Sequence, residues 1–349
     1  MIDRTSVLTL RLAAQGLTSP ARSRDEYLTL VHRLQPIAPV AFTMPGNPPQ
    51  LVHRTTFDDA ALADELRGRR ELVKGRFLGG NIGYVLASDL QLYATAFRKT
   101  LSRMTPVQER VMQALRYTGE LSTRQLSEET GLKNKQLTPA LHRLQQACLV
   151  FEDQEDSSWA RPWSLMEHAW PDLDLETLAV EDAITAVICR FLKGYVCATF
   201  EQVKNWTRLP GRTLVQALVR GERAGALISV EIPGLSQAWM RAQDRHRKLS
   251  RAEPSVFMLH RSDPLVLAEQ CALKKRYFKH EVLQYLLIDG EFQGAVRGHW
   301  RIGPHDVDDI IVDLPAFRRG SRKKAIVDAV AEYYHPPEHH ILRYNGEDV

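Results

Sequence analysis

The chain has 349 residues, 44% of them hydrophobic and 25% charged, with 46 Lys and Arg against 42 Asp and Glu and a net charge of +4. This is the composition of an ordinary globular protein and excludes collagen-like and disordered classes. At roughly 150 residues per domain the length predicts two or three units, each able to bury a core without staples. The four cysteines, Cys148, Cys189, Cys197 and Cys271, show no CxxC spacing and sit in apolar contexts, so they read as buried small side chains in a reducing compartment. No apolar run approaches the ~18 residues of a membrane span. Met1 to Leu12 carries Asp3, Arg4 and Arg11 inside its apolar stretch, so the expectation is a cytoplasmic protein with no membrane partner.

Along the chain, Arg4 to Leu17 reads as a helix ended by Gly16, and Asp25 to Leu34 as a second with Leu28, Val31 and Leu34 on its inner face. Five prolines, Pro36, Pro39, Pro45, Pro48 and Pro49, forbid regular structure and predict an extended loop. Phe57 to Leu66 is a helix, and Leu72 to Leu86 alternates around Gly79-Gly80 as a hairpin. Residues 1–101 are therefore expected to form one helical, hairpin-bearing, winged-helix-like unit.

An internal repeat governs the middle of the chain. Ser122-Thr-Arg-Gln-Leu126 is echoed by Thr199-Phe-Glu-Gln-Val203, a shift of 77 positions. The register holds for some thirty residues, matching Thr130 with Thr207, Leu132 with Leu209, Leu137 with Leu214, Ala140-Leu141 with Ala217-Leu218, Arg143 with Arg220 and Ala147 with Ala224. In the first copy, Pro106 to Tyr117 predicts a helix with Pro106 in its first turn. Ser122 caps a short second helix, and Gly131 turns the chain into a third helix from about Asn134 to Gln146. Strands follow at Cys148 to Phe151 and near Trp159 to Leu165. The second copy places helices at Glu181 to Lys193, Phe200 to Thr207 and Arg212 to Ala224, with strands at Leu227 to Ile232 and near Trp239. Helix, helix, turn, helix and a two-stranded ribbon is the winged-helix pattern, expected over 102–170 and again over 171–252. Trp163, Trp170, Trp206 and Trp239 near the wings read as core.

From about Pro254 the chain is strand-rich, with candidates at Val256 to His260, Val282 to Ile288, Glu291 to Ile302 and Ile310 to Leu314, and Asp289-Gly290 as a two-residue turn. One helix, Lys323 to Tyr334, precedes a last strand at His340 to Tyr344. The fold class is α+β: tandem winged-helix domains with a strand-rich, barrel-like C-terminal domain over 253–349.

No Gly-rich phosphate loop, GxSxG elbow or HExxH run is present, so nucleotide hydrolysis, acyl transfer and zinc proteolysis have no support. His335, His339 and His340 lack an acidic or thiol partner at ligand spacing, and neither a metal nor a cofactor is expected. Basic residues cluster instead. Arg67, Arg69, Arg70, Lys74 and Arg76 lead into the hairpin; Arg241, Arg245, Arg247, Lys248 and Arg251 follow the second wing; Arg318, Arg319, Arg322, Lys323 and Lys324 precede the last helix. Lys133, Lys135 and Arg143 lie on the outward side of the first copy's third helix, and Arg208, Arg212 and Arg220 on that of the second. A third helix of this kind enters the major groove while basic runs neutralise phosphates, so double-stranded DNA is the expected partner. The small net charge hides this polarity: the three runs sum to +13, whereas residues 152–182 sum to −9.

Arg11-Leu-Ala-Ala-Gln-Gly-Leu17, Leu34-Gln35, and Gly80-Asn81-Ile82 leading to Ala87-Ser-Asp-Leu90 resemble one family, as do Phe257-Met-Leu-His-Arg-Ser-Asp-Pro-Leu265 and the Ile288 to Trp300 hairpin. The chain is similar over nearly its whole length to the AlkZ/YcaQ-like bacterial DNA glycosylases. The resemblance implies a tandem winged-helix protein that excises bulky alkylated purines and unhooks interstrand crosslinks, a monofunctional N-glycosyl hydrolase. The family's catalytic signature is a Gln, a hydrophobic residue, then Asp or Gln, and it places Gln35 in the catalytic position. Here Pro36 and Ile37 follow, and an Ile cannot orient water or stabilise an oxocarbenium-like cation. Where many members carry Arg-Gly-Thr-x-His in the hairpin, this chain has Gly79-Gly-Asn-Ile-Gly83. Asp25, Glu26, Asp58 and Asp59 are carboxylates nearby in sequence, read as helix-surface acids. The expectation is a monomeric, nucleoid-associated DNA-repair protein that recognises or excises damaged bases. A winged-helix transcriptional regulator and a protein-docking scaffold are the alternatives.

Overall fold

A computed structural model of the chain describes residues 3–41, 43, 46–153, 161–232, 236–247, 252–301 and 305–349. The N-terminal part folds as α1 (Arg4–Ala14), α2 (Arg24–Leu34) and α3 (Asp59–Gly68), then the hairpin β1 (Leu72–Leu78) and β2 (Asn81–Leu86), then α4 (Leu90–Phe97). Asp3, Ser23 and Asp58 cap the first three helices, their side-chain oxygens accepting from otherwise orphaned backbone N–H groups. Gly16 has φ +75°, and a Cβ there would lie 2.9 Å from Leu30 Cδ2, so both backbone and space require glycine. The α4 helix has no counterpart in the sequence reading. Leu-Gln-Leu-Tyr-Ala-Thr-Ala-Phe is buried over most of its surface, so it shows no polar stripe from which a period could be read.

The repeat is visible atom by atom. The first copy comprises α5 (Pro106–Thr118), β3 (Leu121–Ser122), α6 (Thr123–Thr130), α7 (Asn134–Gln146), β4 (Val150–Glu152) and β5 (Pro162–Leu165), followed by the single turn α8 (Met166–Ala169). The second comprises α9 (Val180–Tyr195), β6 (Cys197–Thr199), α10 (Phe200–Thr207), α11 (Gly211–Arg223), β7 (Leu227–Val230) and β8 (Ala238–Arg241). Each copy closes a three-stranded sheet, ordered β3-β5-β4 and β6-β8-β7, whose first strand was too short to announce itself in the sequence. Ser122 and Thr199 build identical capping boxes with Gln125 and Gln202. Thr130 and Thr207 each donate to the carbonyl four residues back and accept from Leu132 N and Leu209 N. Residues with positive φ also pair 77 positions apart: Gly119 with Val196, Gly131 with Arg208, and Cys148 with Gly225.

After a 3-10 turn at Ala242–Asp244, the C-terminal part holds β9 (Val256–His260), α12 (Pro264–Arg276), β10 (Val282–Ile288), β11 (Glu291–Arg297), β12 (Asp309–Val312), α13 (Ala316–Ala331), β13 (Arg343–Tyr344) and β14 (Glu347–Asp348). The six strands form one sheet in chain order from β9 to β14, with β12 and β13 parallel and the rest antiparallel. Asp289 and Gly290 both have positive φ, as the two-residue turn requires. The sequence pattern predicts one helix here and the structure has two. Its α12 buries Leu265 and Val266 on neighbouring faces, so no single apolar stripe reveals it.

One buried ion pair ties these parts together. Arg54, in the loop before α3, donates from Nη1 to Asp263 Oδ2 (2.7 Å) and from Nη2 to Asp263 Oδ1 (3.1 Å) and Gln15 Oε1 (3.1 Å). Gln15 in turn donates to Gly194 O at the end of α9 (2.9 Å), and Asp263 caps α12 by accepting from Leu265 N (2.9 Å). Burial opposes ionisation of Asp263, yet the Arg54 guanidinium holds its carboxyl below the usual carboxylate range. Removing one charge strands the other in the interior. Asp263→Asn is expected to cost about 3–5 kcal/mol in urea unfolding, while pairing Arg54→Met with Asp263→Leu recovers much of it. A loss for Asp263→Asn no larger than that of an exposed pair would contradict this.

Candidate nucleic-acid interface

An open cleft of about 520 Å³ lies where the N-terminal loop, the β1–β2 hairpin, the end of α10 and α12 meet. Ala38 to Ala41 form one wall, Leu78, Asn81 and Ile82 another, and Ser262, Val266, Leu267, Gln270 and Tyr285 the third. Three cations line it, Arg208, Arg261 and Lys274, and among the described lining residues there is no carboxylate. Arg208 is placed by its left-handed backbone, φ 57°, which ends α10. Its side chain lies against Gly79, where a Cβ would come within 2.6 Å of Arg208 Cδ. The hairpin tip is thus glycine because an arginine passes over it. Arg261 and Lys274 are not legible in the sequence: Lys274 sits on α12, which shows no single apolar stripe, and Arg261 stands outside the basic runs.

Gln35 does not line the cleft. It is 1% exposed, and both ends of its amide are engaged: Oε1 accepts from Leu86 N (2.8 Å) and Nε2 donates to Asp89 Oδ2 (2.5 Å). Its carbonyl accepts from Tyr93 Oη (3.0 Å), and Asp89 is held by Arg190 (2.6 Å) and His32 (3.5 Å). Ile37 is also buried and acts as a stub of strand, exchanging backbone hydrogen bonds with Tyr84 at 2.9 and 2.8 Å. A side chain at position 37 therefore belongs to the core with Tyr27, Leu34 and Tyr84. Three of the four nearby acids are committed too, while Asp25 is exposed in the first turn of α2. Asp58 caps α3, Glu26 accepts from Arg22 N, and Asp59 is buried rather than on a helix surface, accepting from Leu51 N with its carboxyl pushed up to about 6 by burial.

Much of the expected basic surface is paired within the fold, because Glu152 and Asp153, at the start of the acidic stretch 152–182, lie against the first basic run. Arg70 binds Asp153, Lys74 binds Glu152 (2.9 Å), and Arg67 is buried against Asp64. Arg69 pairs with Glu65 (3.1 Å), and Arg76 donates to Gln145 Oε1 and Gly80 O. In the last run, Arg318 and Arg322 both hold Asp289, at 2.9 and 2.8 Å, and Lys323 lies over the Tyr344 ring. The Arg319 carbonyl accepts from Tyr344 Oη. Most of the cations in these two runs thus have a partner within the fold. In the second run Arg241 and Arg247 share Asp244, Arg245 is exposed, and Lys248 lies outside the described residues. On the third helices, Lys133, Lys135, Arg143 and Arg212 are exposed, whereas Arg220 pairs with Asp182 (2.5 Å). The outward face of α11 also carries Val215 and Val219, 51% and 38% exposed. Trp163 and Trp206 are core, as expected.

Behind the cleft, His260 is buried beside His53, Arg54 and Asp263, and Ala41 N reaches its Nδ1 at 3.5 Å. Burial pushes its pKa from 6.5 down to about 4, so it is neutral at physiological pH and adds no charge to the cleft.

The family model for AlkZ-like DNA glycosylases matches residues 50–332. Among solved structures, a DNA glycosylase AlkZ from Streptomyces sahachiroi is similar at a TM-score of 0.70 and 15% identity, with 95% of each chain covered. No curated protein matches the chain by sequence.

The His260 shift has a sign that can be tested. Because the unfolded chain takes a proton near 6.5 and the folded one only near 4, stability from this group is full above 6.5 and is lost as pH falls toward 4. The slope is about 1.4 kcal/mol per pH unit in that window. Asp59, raised from 3.8 to about 6, works in the opposite sense, favouring the folded state as pH falls. The difference in unfolding free energy between wild type and His260→Gln therefore isolates the histidine. It should change by that slope between the two pH values, and parallel curves would contradict the burial.

Proposed function

The chain belongs to the AlkZ-like DNA glycosylase family, and from that premise we propose that it is a DNA-repair protein that binds damaged duplex DNA at the Arg208–Arg261–Lys274 cleft without hydrolysing it through the Gln35 segment. The observation that carries this reading is the composition of the cleft: three cations and, among the described lining residues, no carboxylate. Cleavage of an N-glycosidic bond develops a cation on the sugar and needs a group that orients water beside it. Three positive side chains oppose that cation, whereas they attract phosphate oxygens. Gln35 and Ile37, the residues at the family's signature positions, are both turned into the core.

In this reading the two repeats are winged helices that lie along the duplex, with exposed Lys133, Lys135, Arg143 and Arg212 contributing phosphate contacts. The proposed lesion class is the one the sequence resemblance implies, alkylated or crosslinked bases. A monomer acting on the nucleoid suffices, since the two repeats already supply two DNA-facing modules in one chain.

Binding as a function of salt tests the proposal. The full chain should bind a short duplex at low salt. Changing Arg208, Arg261 and Lys274 together to Ala should then reduce the slope of log affinity against log salt by roughly 3, since each phosphate contact contributes about 0.9. An unchanged slope would remove the cleft from the interface, and no binding by the wild type at low salt would overturn the reading.

A further inference from the structure

The third helix of the second repeat turns one coherent face outward. At 3.6 residues per turn, Arg212, Val215, Gln216 and Val219 of α11 fall within an arc of roughly 100°. Leu214, Ala217, Leu218 and Gly221, all buried, lie on the opposite side. Arg212 and Gln216 are exposed, and among the described residues neither has a hydrogen-bond or ion-pair partner. Val215 is 51% exposed, and Val219 continues the same face one turn on. Glu222, the acid at its C-terminal end, accepts from Trp239 Nε1 at 3.0 Å. The face begins beside the cleft, because Arg208, one of the cleft's three cations, stands three residues before Gly211, where α11 starts.

The equivalent face of the first repeat differs in chemistry and in setting. At the 77-residue shift, α7 has Lys135, Thr138, Pro139 and His142 in place of Arg212, Val215, Gln216 and Val219. It also packs on β1 of the N-terminal part, where Arg76 donates to Gln145 Oε1 at 2.9 Å, whereas α11 packs on α9, α10 and β7 of its own repeat. In the major groove an A·T pair shows the N6–N7 edge of adenine, which an amide meets with two hydrogen bonds, and the C5 methyl of thymine, which takes an apolar side chain. Gln216 flanked by Val215 and Val219 offers both on one face. We propose that α11, rather than α7, enters the major groove and that Val215, Gln216 and Val219 read A·T pairs there. Base contacts come from the N-terminal residues of such a helix, where Val215 and Gln216 stand, while Arg212 in its first turn reaches a phosphate. This rests on the DNA-binding reading above and adds a base preference, which phosphate contacts alone cannot supply.

The test uses fluorescence anisotropy of the full chain with three labelled, undamaged duplexes of equal length: alternating A·T, the same duplex with every thymine replaced by deoxyuridine, and alternating G·C. Wild type should bind the thymine duplex most tightly. Replacing thymine by deoxyuridine removes only the methyl groups and should weaken binding about fourfold for each methyl that α11 buries. Val215→Ala combined with Val219→Ala should bring the thymine and deoxyuridine duplexes to equal affinity. Gln216→Ala should keep that difference and narrow the gap between the deoxyuridine and G·C duplexes. These side chains point outward on a helix that tolerates alanine, so the variants fold. Wild type that binds all three duplexes alike would overturn this inference alone, as would a thymine preference that survives the double valine variant. Wild type that binds none of them would overturn the DNA-binding reading with it.

Discussion

The architecture depends on the Arg54–Asp263 ion pair. Its two members are 209 residues apart in sequence and completely enclosed. Through Gln15 the pair reaches the end of α9, and through the Asp263 cap it fixes where α12 begins. That helix is a wall of the cleft and carries Lys274, so the position of a surface cation is set by a charge pair in the interior. Such a pair gains little net stability over apolar residues of the same shape, but losing either member leaves an uncompensated charge in the interior. Gln15 and Asp263 thus join parts of the fold that are far apart in sequence.

The same logic explains the modest net charge. Basic and acidic stretches that look like separate poles along the sequence meet face to face: Arg70 with Asp153, Lys74 with Glu152, Arg98 with Glu176 and Arg220 with Asp182. What remains for a polyanion is a smaller set of cations placed by backbone geometry. Arg208 depends on a left-handed cap above Gly79, and Lys274 on an internal helix. A count of charges along the sequence cannot distinguish these from the paired ones, because the partners lie some 40 to 80 positions away.

The repeat was the most legible part of the fold. Its capping boxes are local, built by Ser122 with Gln125 and Thr199 with Gln202, and local chemistry can be read without knowing what packs on it. The elements that escaped, α4 and α12, are buried on more than one face, which erases the polar stripe that marks a surface helix. For the site, the sequence shows which residues stand at positions 35 and 37, Gln and Ile. It could not show that Gln35 itself is withdrawn, because that follows from Leu86 N and Asp89, more than fifty residues downstream.

The chemistry follows from where these groups point. Gln35 is 1% exposed, its amide accepting from a backbone N–H and donating to a buried carboxylate, so it is out of reach of the cleft, and the side chain of Ile37, whose backbone is bridged to Tyr84, offers no polar atom. The most direct measurement is a single-turnover assay, with the protein in excess over duplexes carrying an N7-alkylated guanine or an interstrand crosslink. The DNA should be retained by the protein while abasic sites accumulate no faster than in buffer. Time-dependent release of the damaged base, abolished by Gln35→Ala in a variant that still folds and binds DNA, would contradict it.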